Sequence, residues 1–363
     1  MARWYPHRYD PMFGLFVRRH AEAAALYNDI SVIYVHPDNQ YDIVDDTINN
    51  VRTIRVYYKQ SKSKILSFLR FLKANRQALK RLPKPDIIHV HVLTRLGIIA
   101  LWQKIIHGTP YIITEHWSRY LSGNDFSGFL RKQLTKLVVK HASAVTTVTD
   151  ILAKAMQKHG LSNKNYLIVP NVVDINKFKP QPHHNEIPKI VHISCFENKS
   201  KNITGLIDAL CILENKHIDF QCVFIGDGVD FEMIKDYSKK LKRQENIRFT
   251  GVLEGQDLVA ELASGDFLVL SSDYETQGVV LLEAFACGLP VVSTNVGGIP
   301  EIVNETNGIL VPPHSPEQLS DAMQTMLATY QNYDPNILRE NIIKKFSNET
   351  VGKLLNSLYS NTI

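Results

Sequence analysis

The feature that most constrains this chain is a repeated alternation of short apolar runs with amphipathic helical stretches. The apolar runs are rich in β-branched residues and lie at 30–35, 86–91, 110–115, 144–148, 166–169, 189–194, 220–225, 246–250, 266–270, 290–293 and 308–311. Short strands that alternate with helices indicate parallel sheets with right-handed crossovers. The sequence therefore predicts an α/β protein.

A linker divides this pattern into two sets. Residues 179–188 contain three prolines and few apolar side chains, as interdomain segments often do. The length of 363 residues also exceeds that of one ordinary hydrophobic core. We predict two doubly wound domains, 1–178 and 179–345, followed by a helical segment over 346–363. Ligands of such sheets bind beyond the carboxyl ends of the strands, so a cleft between the two domains is the expected site.

Composition narrows the class of protein. The 44% of hydrophobic and 21% of charged residues are typical of a globular protein, and no apolar run of 18 residues predicts a membrane span. The first residues lack the apolar core of a signal peptide. The four cysteines lie in apolar runs without CxxC spacing, which favours buried free thiols in a reducing compartment; they are Cys195, Cys211, Cys222 and Cys287. We expect a cytoplasmic protein.

The net charge of +5 is unevenly distributed. Residues 47–85 contain eleven basic and no acidic side chains, and Ile65, Leu66, Phe68 and Leu69 give the same stretch an apolar face. Two interpretations remain open. The helix can lie on anionic lipid headgroups, which predicts a peripheral protein on the inner face of the membrane. Alternatively, it is a solvated helix packed on its own sheet. The stretch lacks interleaved exposed aromatic residues and any known nucleic-acid-binding motif, so no nucleic-acid partner is expected.

The segment 271–290 contains two glutamates, Glu275 and Glu283, eight residues apart. On one continuous helix they would point about 80° apart, so they would not share a face. Gly278 marks a turn between them, which puts Glu275 on a loop and Glu283 on the helix that follows. The first N–H groups of that helix form a site for a diphosphate. One carboxylate can then bind sugar hydroxyls and the other a ribose diol.

With its flanking segments, this junction resembles the donor domain of retaining glycosyltransferases of family 4. Glu275 and Glu283 match the family signature of two glutamates separated by seven residues. Further matches are the segments 4–17, 170–174, 225–228, 294–303 and 307–311. The resemblance implies a GT-B fold, in which two Rossmann-like domains face each other across a cleft. The first domain would bind the acceptor and the second the nucleotide, and the helix over 346–363 would pack back toward the first domain.

The resemblance also implies donor contacts. Glu275 is expected near the transferred sugar, without a nucleophilic role, and Glu283 at the donor ribose. Four backbone amides at the helix start would hold the diphosphate, those of Gly278, Val279, Val280 and Leu281. Gly226 in the glycine loop is a further donor contact, although a plain turn explains it equally well.

Two charged or polar side chains complete the expected site. Lys201 matches the family lysine in a Lys-Asn-Ile sequence and would offset the charge that builds on the departing phosphate. The other interpretation is a solvated lysine at a helix start. His116 matches the family histidine after a strand of the first domain and would orient the sugar or the acceptor, with a strand-end cap as the alternative. The catalytic residues are thus expected to be His116 and Glu275.

Two departures from the family pattern affect these expectations. Phe196 lies near the position where many members have an arginine, and Lys199 is a candidate substitute that gives a point charge instead of a bidentate fork. The family's opening strand would precede Trp4, where this sequence has only residues 1–3. Either that strand is short or residues precede Met1, so Gly14 is not assigned a diphosphate contact.

We expect a retaining hexosyltransferase that uses a UDP- or GDP-linked sugar and a glycan or lipid-linked acceptor, in the biosynthesis of a bacterial cell-surface polysaccharide. No cofactor other than the donor is expected. No metal is expected either, because His89 and His91 have no carboxylate partner nearby and the histidines show no metal-like grouping. Two alternatives remain: a nucleotide-sugar-binding subunit of weak activity, and a GT-B sugar-nucleotide epimerase, which would use no acceptor.

Overall fold

Close contacts divide the chain into two α/β units. The structure is a computed structural model that describes residues 1–93, 95–121 and 126–363. One unit comprises 1–172 together with 348–363, and the other comprises 173–347. These limits lie close to the boundaries after 178 and 345 in the sequence analysis. The α/β class with two Rossmann-like units is confirmed.

Strands and helices alternate along most of the chain. The strands are β1 (Ser31–Asp38), β2 (Asp42–Ile48), β3 (Val51–Lys59), β4 (Ile88–His91), β5 (Tyr111–Glu115), β6 (Ala144–Thr147), β7 (Tyr166–Ile168), β8 (Lys189–Ile193), β9 (Gln221–Ile225), β10 (Ile247–Gly251), β11 (Phe267–Leu270), β12 (Val291–Thr294) and β13 (Gly308–Val311). The helices are α1 (Leu15–Ala24), α2 (Lys64–Leu79), α3 (Arg95–His107), α4 (Phe129–His141), α5 (Asp150–Lys158), α6 (Asn198–Lys201), α7 (Ile203–Asn215), α8 (Phe231–Tyr237), α9 (Gly255–Ala263), α10 (Val279–Ala286), α11 (Pro316–Thr329), α12 (Pro335–Phe346) and α13 (Asn348–Ser360).

The first unit has strands in the orders β2-β3-β1 and β4-β5-β6-β7. Ala2 forms parallel bridges both to Tyr34 of β1 and to His91 of β4, so the first residues of the chain connect the two groups. The pairing of β2 with β3 is antiparallel, and the turn between them consists of Asn49 and Asn50, both at positive φ. This hairpin was not predicted, because its basic residues belong to the same acid-free stretch, 47–85, as the helix that follows.

Helices cover both faces of this sheet. Buried residues of α2, α3, α4 and α5 share one core with the strands. On the other face, α1 and the C-terminal α13 pack together against β5 and β6. Gly352 of α13 approaches α1 so closely that an added Cβ would lie 2.4 Å from the carbonyl oxygen of Ala23. The C-terminal helix is therefore an integral part of the first unit.

The second unit has one parallel six-stranded sheet in the order β10-β9-β8-β11-β12-β13. From β8 the chain proceeds outward to β9 and β10, and it then returns to β11 on the other side of β8. This reversal of strand order makes a topological switch point between β8 and β11. Loops that follow two such strands diverge and leave a crevice in which ligands bind.

Two smaller expectations have mixed outcomes. The cysteines are free thiols, and Cys222 and Cys287 are buried as predicted. Cys211 is only half-buried, and the prediction of burial is wrong for Cys195, which is exposed because it lies in the loop after β8. Within the described ranges, none of the helices combines the length and the hydropathy that a membrane crossing requires.

Candidate functional site

The crevice at the switch point of the second unit contains Lys201 and Glu275. Lys201 comes from the loop after β8, and Glu275 from the loop after β11. The Lys201 Nζ donates a hydrogen bond to Glu275 Oε1 in an ion pair, and the two side chains are only 17% and 14% exposed. Ser272 Oγ donates to the same carboxylate oxygen at 3.0 Å. The strand order of the sheet thus explains why residues 74 positions apart come together.

Backbone contacts hold the two loops against each other. Asp273 N–H donates to the carbonyl oxygen of Ser200 at 2.9 Å, and Ser271 Oγ donates to that of Lys201 at 2.9 Å. Lys201 is the last residue of the four-residue helix α6, and Asn202 at a φ of 46° then starts α7. The sequence expectation of a lysine at a helix start therefore needs correction, because the left-handed Asn202 separates the two helices.

The surroundings of Lys201 keep it charged. Burial alone lowers the pKa of this ammonium group, but the nearby Glu275 carboxylate and the hydrogen bond to it outweigh burial, so the pKa is raised above its usual value. The alternative of a solvated lysine is excluded for this structure. The pair presents a fixed cation and a carboxylate side by side in a largely water-excluded crevice.

The loop that carries Glu275 depends on one glycine. Gly297 lies at a φ of 53°, and an added Cβ would lie 1.7 Å from the carbonyl oxygen of Glu275. Thr294 Oγ1 also donates to the carbonyl oxygen of Ser272 at 2.5 Å. The segment after β12 therefore supports the Glu275 loop, and Gly297 allows the close approach.

Helix α10 begins at Val279, directly after Gly278 at a φ of 73°. Glu275 lies on the preceding loop and Glu283 on the helix, which confirms the predicted placement of the two glutamates. Leu281 N–H donates to the carbonyl oxygen of Gly278 at 2.9 Å. Of the four predicted amides, that of Leu281 is therefore directed into its own turn, while those of Gly278, Val279 and Val280 lie at the positive end of the helix dipole.

Glu283 and Gly226 lie in close-packed surroundings. Glu283 is 5% exposed on α10. Gly226 has a φ of 130°, and a Cβ there would lie 1.9 Å from the carbonyl oxygen of Ser194. Gly226 is thus required to bring β9 close to the loop that leads to Lys201. Phe196 in that loop is fully buried among Phe231 and Phe249, so the position near the family's arginine belongs to the core. Lys199 is exposed.

His116 in the first unit follows β5 and is 6% exposed. Its Nδ1 lies 3.1 Å from Asn171 Oδ1, and its Nε2 lies 3.2 Å from His91 Nδ1. Because an amide oxygen only accepts, His116 Nδ1–H donates to Asn171, which leaves Nε2 with a lone pair. Burial first, and then the charge of His20, lower the pKa of His116 well below its ordinary value. The imidazole is therefore neutral at pH 7.

Three further groups complete the surroundings of His116, and sequence reasoning missed their role. His20 and Phe16, four residues apart on α1, both contact the His116 ring. Their i, i+4 spacing was the available signal. Glu115 accepts backbone N–H groups from Leu93, His116 and Trp117 at 2.9–3.0 Å. Burial raises the pKa of Glu115 to about 7.

The histidines of the first unit form a closer group than the sequence suggested. One ring nitrogen each from His20, His91 and His116 lies within 4.8 Å of the others, so the expectation of no metal-like grouping is wrong for these three. His89 is engaged separately, by Tyr359 at 2.8 Å and Thr114 at 2.6 Å. His20 Nε2–H donates to the carbonyl oxygen of Pro170 at 3.0 Å. The cluster arises where α1, β4 and β5 present histidines to the same buried space.

Comparisons with known proteins cover nearly the whole chain. Residues 174–346 match the family model described as glycosyl transferases group 1, and residues 16–177 match that of glycosyltransferase family 4. N-acetyl-alpha-D-glucosaminyl L-malate synthase of Bacillus anthracis is 32% identical over 60% of this chain and 58% of its own length. Sulfoquinovosyl transferase SQD2 of Arabidopsis thaliana is 28% identical over 67% of this chain and 50% of its own. The chain thus spans about half the length of these relatives.

Solved structures share the fold at low sequence identity. Sucrose-phosphate synthase of Thermosynechococcus elongatus has a TM-score of 0.80 and 21% identity, over 96% of this chain and 92% of that one. Anabaena HepE in complex with UDP and glucose has a TM-score of 0.76 and 17% identity, over 96% of both chains. At these identities, both likenesses show the fold alone.

Proposed function

Because the chain belongs to the group 1 glycosyltransferases of family 4, we propose that it is a retaining hexosyltransferase with a UDP- or GDP-linked donor and a glycan or lipid-linked acceptor. The observation that carries this proposal is the buried Lys201–Glu275 pair at the switch point of the second unit. Because HepE is named in complexes with UDP and with UDP-glucose, we place UDP before GDP as the proposed donor nucleotide.

In the proposed reaction, the glycosidic C1–O bond of the donor breaks and its electron pair stays on the diphosphate. Lys201 and the amides at the start of α10 stabilise this charge, since preorganised donors cost no reorganisation at the moment of reaction. The acceptor oxygen bonds to C1 on the same face, and its proton passes to the departing phosphate oxygen. Glu275 binds sugar hydroxyls and Glu283 the ribose. No protein nucleophile takes part.

The pairing of Lys201 with Glu275 has a functional consequence in this proposal. A diphosphate that enters the crevice competes with Glu275 for the ammonium group. As the lysine turns to the phosphate, the carboxylate gains free lone pairs for the sugar hydroxyls. The two ends of the donor would thus be bound together, which favours a sugar diphosphate over either part alone.

His116 is the proposed contact for the sugar or the acceptor from the first unit. In the structure the Nε2 lone pair accepts from His91 Nδ1–H, so in this proposal a hydroxyl of the sugar or acceptor replaces His91 as the donor to Nε2, and the neutral imidazole accepts it without adding charge. Asn171 fixes the tautomer through Nδ1–H. This arrangement suits a hydroxyl of an uncharged sugar ring better than it suits a phosphate.

The first experiment is a thermal shift series with UDP, GDP and ADP, because a ligand that binds the native state raises the apparent stability by mass action. The second follows donor hydrolysis without acceptor in wild type and Glu275→Gln. We expect stabilisation by one diphosphate nucleotide and slow hydrolysis that the substitution abolishes. Stabilisation by none of the three nucleotides would contradict the proposal. Nuclear magnetic resonance of the product anomer tests retention.

A nucleotide-sugar-binding subunit of weak activity is the second candidate. It is favoured by Phe196, which occupies the core near the position of the family's arginine. This candidate predicts the same nucleotide stabilisation with neither hydrolysis nor transfer to any acceptor. The epimerase alternative predicts a changed sugar nucleotide without loss of the nucleotide.

On the acceptor side, we propose a cytoplasmic enzyme of surface-polysaccharide synthesis that works at the inner face of an anionic membrane. The basic helix α2 supports this; Lys73 on the helix and Lys80 directly after its end are exposed. One human relative, 26% identical over 72% of this chain and 53% of its own length, is a component of phosphatidylinositol N-acetylglucosaminyltransferase by name. A hydroxyl acceptor attached to a lipid would be found at such a surface.

A further inference from the structure

Helices α2, α3 and α4 lie side by side on one face of the first sheet. Their inner sides share one core, with Phe71 from α2, Ile99 from α3 and Val139 from α4 among its members. The guanidinium of Arg95 on α3 lies 5.5 Å from the ring centre of Phe68 on α2. An added Cβ at Gly97 of α3 would lie 2.7 Å from Val138 of α4. The outer sides of the three helices therefore form one continuous surface, which we call the three-helix face.

Large apolar side chains on the three-helix face point to solvent. Phe129 is 79% exposed, Ile65 75%, Ile105 72% and Leu130 70%. The other exposed members of this group are Leu66, Leu69, Ile98, Trp102, Ile106, Leu134 and Leu137. Isolated exposed apolar residues are ordinary, but a contiguous set on adjacent elements marks an interaction surface.

The charge of this face has one sign. The sequences of α2, α3 and α4 contain no aspartate and no glutamate. They contain ten lysines and arginines: Lys64, Arg70, Lys73, Arg76, Arg95, Lys104, Arg131, Lys132, Lys136 and Lys140. A surface with this composition attracts polyanionic surfaces, and the alkyl parts of its lysines and arginines can lie along apolar material while the charges stay in water.

We propose that the three-helix face binds an anionic lipid bilayer, with the side chains of Ile105, Phe129 and Leu130 inserted into the interfacial layer. Electrostatic attraction alone would need only the basic residues of α2. The exposed aromatic and aliphatic side chains on α3 and α4 add a contribution that depends on apolar burial. This inference rests on the membrane-linked acceptor proposed above, and it names the surface and the mode of binding.

A bilayer accounts for this face better than a protein partner does. Cores of protein interfaces are depleted in charged residues, and in lysine in particular. Interfacial helices of membrane-bound proteins combine lysine and arginine with tryptophan, phenylalanine and leucine. All three helices of the three-helix face have the composition of such interfacial helices.

The experiment uses the full chain with vesicles of equimolar phosphatidylglycerol and phosphatidylcholine, and with vesicles of phosphatidylcholine alone. We expect sedimentation with the anionic vesicles, and only a partial loss of binding at high salt because apolar insertion is not screened. The double variant F129S/L130S should lower the partition coefficient by about tenfold. Ile337→Ser, at an exposed apolar position of the second unit, is the matched control and should leave partition unchanged.

Trp102 on α3 gives a local readout, since this residue is 53% exposed. We expect its emission to shift to the blue on anionic vesicles, and the shift to disappear in Trp102→Phe. Equal binding to both kinds of vesicle, no binding to either, or unchanged partition of F129S/L130S would overturn the proposal. Thermal stabilisation by the nucleotide is measured on the same variants. Its persistence without vesicle binding separates failure of this inference from failure of the proposed function.

Discussion

The two units bury polar side chains at the ends of their parallel strands in opposite electrostatic states. In the first unit, His89, His91 and His116 are neutral because burial lowers the pKa of each well below its ordinary value. In the second unit, Lys201 keeps its charge because Glu275 compensates its burial. The same strand-loop-helix architecture thus produces a neutral hydrogen-bonding site and a charged crevice. The first suits hydroxyl groups, and the second suits a diphosphate.

The most severe test of the charged crevice is removal of its cation. We expect Lys201→Met to lower the rate of donor cleavage by about a thousandfold, because the charge on the leaving phosphate loses its fixed partner. The variant also leaves Glu275 in a buried position without its ion pair, which costs about 3 kcal/mol of folding free energy. Steady-state kinetics and denaturant unfolding measure the two effects.

The double variant K201M/E275Q separates catalysis from folding. Both charges are absent in it, so we expect most of the stability to return while donor cleavage stays low. Recovery of the rate together with stability would show that the ion pair serves folding alone, and it would remove the contrast between the two units.

Removal of His116 is the corresponding test of the neutral site. We expect His116→Gln to lower the transfer rate by about a hundredfold, since a positioned side chain at the reacting groups is lost. Nucleotide binding should be unchanged, because the proposed contacts to the diphosphate and ribose all lie in the second unit. A thermal shift with the nucleotide provides the control. Weakened nucleotide binding in this variant would contradict the division of roles.

The pH dependence of stability also distinguishes the two sites. Burial lowers the pKa of His20 to about 4, so the unfolded chain binds more protons than the folded one between about pH 4 and 6.5. Stability therefore falls as the pH decreases through this window, by roughly 3 kcal/mol for His20. Glu115, whose pKa burial raises to about 7, acts in the opposite direction between about pH 4.5 and 7. Glu115 therefore offsets the acid destabilisation that comes from one of the four buried histidines of the first unit. These four are His20, His89, His91 and His116.

Tryptophan fluorescence reports the pH dependence of stability for the first unit alone. The three tryptophans, Trp4, Trp102 and Trp117, all lie in the first unit. We expect the midpoint of unfolding followed by tryptophan emission to decrease on acidification from pH 6.5 to 4, and the slope to become shallower in His20→Asn. His192 in the second unit, with a pKa lowered by burial to about 4, supplies the matched control variant His192→Asn, which should leave that slope unchanged.

Sequence reasoning could identify the second unit in more detail than the first. The loop position of Glu275, the helical position of Glu283 and the turn at Gly278 follow from local residue order, because glycine and apolar spacing act over a few residues. The Lys201–Glu275 pair was not derivable from spacing, since it depends on the order of strands in the sheet. Phe196 could be recognised from the sequence as a departure from the family. Its place in the core could not, because it depends on contacts with Phe231 and Phe249 that only the structure shows.

The first unit shows the limits of local pattern more clearly. His89 and His91 were expected on one strand, and they are there. His20 joins their group only because α1 packs beside β4 and β5, and Asn171 reaches His116 from 55 residues away. The hairpin of β2 and β3 was not predicted because the basic residues of β3 were grouped with those of the helix that follows, although β3 is buried along most of its length.

Lys199 gives the smallest expected effect and sharpens the boundary of the charged crevice. Its side chain is exposed two residues before Lys201, so water screens any charge it offers to a phosphate. We expect Lys199→Ala to raise the dissociation constant of the nucleotide by no more than about threefold, as measured by titration calorimetry at low and at high salt. A tenfold loss that disappears at high salt would instead mean that Lys199 replaces the arginine of the family, and that the anion site extends from the buried pair to the surface of the loop.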